Sequence, residues 1–177
     1  MNTQEQWQNL SKYKAHEILK EVYGDSLSLP VSIEDVINKY LVDAEIQSRE
    51  DFPFKEGVSA FSTRDMDVGW LIVLNGNESV VRQRFSAAHE LAHIVLVPNE
   101  PTIVFHSNDK SSWVERLCDR FAGDILMPEP AVRNIYEYEP FPFVEDIARL
   151  FKVSNIVAKI QLEHLGLPFR VMPGISL

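Results

Sequence analysis

Apolar residues recur at three- and four-residue steps along most of this chain. The clearest run lies between Ser79 and Val97, where Val81, Phe85, Ala88, Ala92 and Val95/Leu96 form one stripe and Pro98 stands just past the end. A looser stripe (Trp7, Leu10, Tyr13/Lys14, Glu17/Ile18, Val22) predicts a helix over Gln4–Tyr23, ended by Gly24. A second helix is expected after Pro30, with Ser32 as N-cap, Asp35 three residues on, and Ile33, Val36, Ile37 and Tyr40 as its apolar face. Further helices are expected over about Ser111–Leu126, from near Pro130, over Val144–Phe151 and over Asn155–Leu165. Strand-like segments sit between these: Ala44–Gln47, Val58–Thr63 and Val68–Asn75, the last two separated by the polar turn Arg64–Asp67. In the third, Trp70, Ile72 and Leu74 alternate with Leu71 and Val73. Both faces are apolar, as in a central strand covered on each side. The pattern predicts an α+β fold: a small, mostly helical domain with a short antiparallel sheet and a C-terminal helix pair. The expected division is 1–139 for the main domain and 140–177 for the pair and tail, packed on the same body.

Composition narrows the classes. The chain has 177 residues, about one domain's worth, and a single cysteine, Cys118, so no internal disulfide can form. Met1–Leu10 is polar and lacks the apolar core of a signal peptide, and no apolar run approaches the roughly 20 residues of a membrane span. A reducing, cytoplasmic setting is expected. The net charge of −9 argues against a general nucleic-acid binder, which needs a basic surface, and leaves protein partners open.

The chemistry concentrates on the best helix. His89-Glu90-Leu91-Ala92-His93 puts two histidines at i and i+4 on one face, roughly 5–6 Å apart at Cβ, within reach of one zinc ion. Glu90 lies beside them and can act as general base on water without ligating the metal. The plain alternative is two histidines on a helix face, one buried and one wet. A catalytic zinc needs a third protein ligand. Glu115, twenty-two residues after His93, is the leading candidate, and Asp119 stands four residues further on the same face. Glu-x-x-x-Asp in this place resembles the gluzincin arrangement, which implies Glu115 as ligand and Asp119 as acceptor for the ring N–H of a ligand histidine. A solvated helix face, with Arg116 near Asp119, is the bland reading. His106 is a less favoured third ligand: an SprT-like site would have His-Gly there, and Ser107 follows. The metzincin pattern fails at Leu96 and Asn99. Cys118, one turn from Glu115, is read first as a small core residue and second as a neighbour of the metal. His16 and His164 lie far along the chain and are given the bland, non-functional reading. His106 and Tyr136 are unranked candidates for an oxyanion donor.

Two blocks carry a family resemblance. Arg82-Gln83-Arg84-Phe85-Ser86-Ala87-Ala88-His89-Glu90-Leu91-Ala92-His93 resembles the RxxFTxAHELGH segment of ImmA/IrrE-type metallopeptidases, and Glu115–Pro128 resembles their ExxxNxFAxxLLMP segment. The strand ending Leu74-Asn75 and the helix over 30–40 match as well, so the likeness spans about residues 30–165. Ala92 replaces a usual glycine, which favours the helix, and Asp119 stands where asparagine is common. The resemblance implies a zincin-like, zinc-dependent endopeptidase of the cytoplasm that cleaves a specific regulatory protein. That protein would be a helix-turn-helix repressor encoded nearby, commonly on a mobile element. It implies His89, His93 and Glu115 as metal ligands, Glu90 as the catalytic base and Asp119 behind a ligand.

Residues 144–165, with Arg149-Leu150-Phe151-Lys152-Val153-Ser154 at the turn, resemble a helix-turn-helix. The second helix offers only Lys159, Gln161 and His164 to a nucleic acid, so packing or partner docking is preferred. Two alternatives stand beside the peptidase reading. One is a zinc-containing binding module that sequesters a repressor or a toxin partner without cutting it. The other is a DNA-binding regulator acting through residues 144–165.

Overall fold

The computed structural model describes residues 3–65, 69–97 and 113–174. Ten elements follow one another: α1 (Thr3–Tyr23), α2 (Ile33–Tyr40), β1 (Ala44–Arg49), β2 (Ala60–Asp65), β3 (Gly69–Asn75), α3 (Val80–Leu96), α4 (Trp113–Leu126), α5 (Glu129–Tyr136), α6 (Val144–Phe151) and α7 (Asn155–His164). This is the small, mostly helical α+β domain that the pattern predicts. His106 lies outside the described residues.

The sheet corrects one expectation. Its order is β1-β3-β2, so β3 is central, as its two apolar faces require. β2 pairs antiparallel with β3, but β1 pairs parallel with it, and the sheet is mixed rather than antiparallel throughout. The physical reason lies in residues 50–59, which carry the chain past β3 to its far side. Phe52 and Phe54 in that segment stack on Phe61 of β2, with ring centroids 5.2 and 6.0 Å away. At the start of β3, Gly69 has φ +83°, and a Cβ there would fall 2.3 Å from the Asp43 carbonyl oxygen, so only glycine fits.

α3 is the central helix. Ser79 caps it by accepting the Arg82 N–H, and every residue from Ser86 to Ile94 is buried. Its small side chains Ala88 and Ala92, both fully buried, let α4 approach closely on one side while the sheet covers another. α1 also departs from expectation. Leu10 and Tyr13 are exposed, and the buried stripe is Ser11, Ala15, Ile18 and Leu19, displaced from the predicted one. Ser11 can sit in the core because its hydroxyl donates to Asp124 of α4 at 2.7 Å. Arg120 Nε and Gln161 Nε2 donate to the same carboxylate at 3.1 and 3.0 Å. One buried acid therefore joins α1, α4 and α7.

The α6–α7 turn is closed by Lys152 in the left-handed region (φ 51°), with Val153 N–H reaching back to Ala148 O, and Ser154 caps α7. Arg84 of α3 holds this turn from outside itself. Its guanidinium donates to the carbonyls of Lys152 (3.1 Å), Phe151 (3.4 Å) and Val31 (2.8 Å). A cation at the carbonyl end of α6 also opposes that helix's negative pole. Among the described residues, no helix is long and apolar enough to cross a membrane.

Candidate metal centre

α3 and α4 pack side by side, and their facing turns bring the predicted donors together. His89 Nε2 and His93 Nε2 stand 3.1 Å apart. The Glu115 carboxylate reaches His89 Nε2 at 3.2 Å and His93 Nε2 at 3.5 Å. A tetrahedral zinc with bonds of about 2.0–2.1 Å separates its ligand atoms by about 3.3–3.4 Å. Three donors at these spacings match what such an ion would require of its ligands. Two imidazoles and a carboxylate are also a donor set that suits zinc.

Asp119, one turn beyond Glu115, accepts the Nδ1 proton of His89 at 2.8 Å. That bond fixes the tautomer and turns Nε2 toward the other donors. Burial alone would push His89 down. Its hydrogen bonds to Asp119 and Glu115, with the Glu90 charge nearby, outweigh burial and raise it to about 9.

Glu90 is 1% exposed and its Oε2 accepts a 2.7 Å hydrogen bond from the Ser62 hydroxyl of β2. Ser62 escaped the sequence reading. Its signal was faint: within β2 it occupies the face shared with Ala60, and both are buried, whereas Phe61 and Thr63 turn to the other face. A polar residue on the covered face of a strand needs a partner, and here the partner is a carboxylate.

Cys118 is fully buried in the core, and its sulfur also lies with the two histidines, the three ligand atoms within 4.8 Å of one another. Both of its readings thus describe the same position. Tyr136 donates its hydroxyl to the Pro168 carbonyl at 2.9 Å, which ties it to the C-terminal tail. His16 and His164 are exposed on α1 and α7.

The family model described as the IrrE N-terminal-like domain, Peptidase_M78, matches residues 49–163. The radiation response metalloprotease IrrE of Deinococcus radiodurans is 27% identical, the match covering 69% of this chain and 42% of that protein. Among solved structures, a chain described as a Mycobacterium tuberculosis transcriptional regulator has a TM-score of 0.62 at 13% identity, covering 88% of this chain and 46% of its own. The chain thus spans less than half the length of these two relatives.

Proposed function

This chain belongs to the IrrE N-terminal-like family of metallopeptidases, and from that premise we propose that it is a zinc-dependent endopeptidase acting on one regulatory protein. The observation that carries the reading is the triangle of His89, His93 and Glu115 with buried Glu90 on the same helix. His89, His93 and Glu115 hold the metal, and Asp119 orients His89. Zinc, when bound, supplies a Lewis acid that lowers the pKa of water and polarises a peptide carbonyl. Glu90 takes a proton from the attacking water on a carboxylate oxygen. It then delivers that proton to the leaving amine nitrogen as the C–N bond breaks, so the base is regenerated. Burial of Glu90 keeps bulk water from competing for that proton.

The substrate is a helix-turn-helix repressor encoded beside this chain, met in the cytoplasm. The outward face of α7 carries exposed Ile156 and Ile160, a surface better suited to a protein than to phosphates. The test is direct. Zinc per chain is measured, and the zinc-loaded protein is incubated with the adjacent-encoded repressor. Glu90→Gln is expected to retain zinc and to lose about 10²–10⁴-fold in cleavage rate. Cleavage at the wild-type rate by that variant would refute the mechanism. Binding without fragments, indifferent to a chelator, would instead support a sequestering module.

A further inference from the structure

We infer that Ser62 is the positioning residue for the general base. This rests on the proposed peptidase role of Glu90, and it concerns a residue on a different element, 28 positions away in sequence.

The geometry has three parts. First, the Ser62 hydroxyl and Glu90 Oε2 are 2.7 Å apart, a short bond of the kind a hydroxyl makes to a charged carboxylate. Second, the surroundings are apolar. Ser62 is 5% exposed, its register partner on β3 is Ile72, and Ala60 and Leu74 flank that face of the sheet, all of them buried. A hydroxyl in such a place costs stability unless it is bonded, and alanine or valine would pack there without that cost. Third, the terminal torsion of a glutamate is broad, with no strongly preferred staggered well. The α3 backbone fixes where the Glu90 side chain begins but not how its carboxylate plane is turned. A donor on β2, held by the antiparallel ladder to β3, sets that rotation.

The role is therefore orientation. Ser62 donates to one oxygen of Glu90 and holds the carboxylate plane at a constant angle to the His89–His93–Glu115 triangle. Ser62 is buried and acts through Glu90 alone, so its loss falls on kcat. A misplaced reacting group can cost on the order of 10²-fold without loss of binding.

Four full-length proteins test this: wild type, Ser62→Ala, Ser62→Thr and Glu90→Gln. Zinc content and thermal unfolding establish that each is folded and loaded. Infrared difference spectra of the metal-stripped proteins are then compared. The carboxylate stretch that disappears in Glu90→Gln is expected to shift in Ser62→Ala and to return in Ser62→Thr. An unshifted band in Ser62→Ala overturns the proposal, whatever the enzyme's activity. For the reaction, the probe is a quenched fluorogenic peptide taken from a randomised library as one the zinc-loaded wild type cuts. Ser62→Ala is expected to lower kcat about 10–100-fold with KM within about twofold, and Ser62→Thr to recover most of the loss. A rise in KM at constant kcat, or no change in either, also overturns it. Should no peptide and no repressor be cut by wild type, the peptidase reading falls, while the infrared comparison still decides whether Ser62 orients Glu90.

Discussion

On the proposed role of His89 as a zinc ligand, replacing Asp119 by alanine sets two effects on zinc binding against each other. The first is loss of orientation: without the carboxylate behind it, His89 is a weaker and less fixed ligand, and changes of this kind cost about 10–100-fold in metal affinity. The Asp119 side chain is 54% exposed, so solvent screens it and the lower end applies, about 10-fold or about 1.4 kcal/mol. The second effect is proton competition. Zinc must displace the proton from His89, and with His89 raised to about 9 that competition weakens apparent binding at pH 7 by about 100-fold. Asp119 is one cause of the raised value, so removing it lowers His89 and relieves part of the penalty. At pH 9.5 only about a quarter of His89 is still protonated, so competition is weak and the orientation loss dominates. The expected result is therefore pH-dependent. Competition against a metal-buffering chelator should show Asp119→Ala about 10-fold weaker at pH 9.5 and less than about threefold weaker at pH 7. A deficit equal to or larger than this at pH 7, or none at pH 9.5, would refute the reasoning.

Two further outcomes follow from the same geometry. Asp124→Asn leaves Arg120 and Ser11 facing an amide where a buried carboxylate stood, with Arg120 12% and Asp124 4% exposed in their side chains. Calorimetry should show about 2–4 kcal/mol lost and the midpoint lowered by about 5–12 °C, with residues 1–139 and 140–177 still melting in one transition; a loss below about 1 kcal/mol, or two transitions, would count against the network. In chelator-treated protein, His89 binds its proton more tightly folded than unfolded. Its contribution to stability is complete below about pH 6.5 and disappears as pH rises through about 9, so thermal midpoints should fall across that window; a midpoint that rises there would contradict the assigned partners.

What the sequence made visible follows from how short-range each signal is. His89, Glu90 and His93 stand out by helical spacing, whereas Glu115 and Asp119 stood out through the resemblance of their block to the gluzincin arrangement, and their meeting needed only α3 and α4 to pack. Ser62 depends on strand register. Nothing local says that it rather than Phe61 faces the helix, and the larger apolar Phe61 argues for the opposite choice. The parallel pairing of β1 was hidden for a related reason. Short links between strands favour hairpins, but residues 50–59 pass the central strand, with Phe52 and Phe54 packed on Phe61. On α1, Leu10 and Tyr13 outweigh Ser11 and Ala15 in any hydrophobic reading. Yet the small pair is what a close helix crossing accepts, provided that an acid 113 residues away receives the serine's proton.

That separation has a kinetic meaning. During synthesis α1 emerges well before the helix it packs on, which begins at Trp113, and the carboxylate that accepts the Ser11 hydrogen bond is not made until Asp124. Contacts so distant in the chain form late, because closing the intervening loop must precede any gain from them. The same late helix carries Glu115. A nascent chain that has already produced His89, Glu90 and His93 therefore still lacks Glu115. The third candidate donor and the helix that completes the hydrophobic core therefore arrive together, on α4.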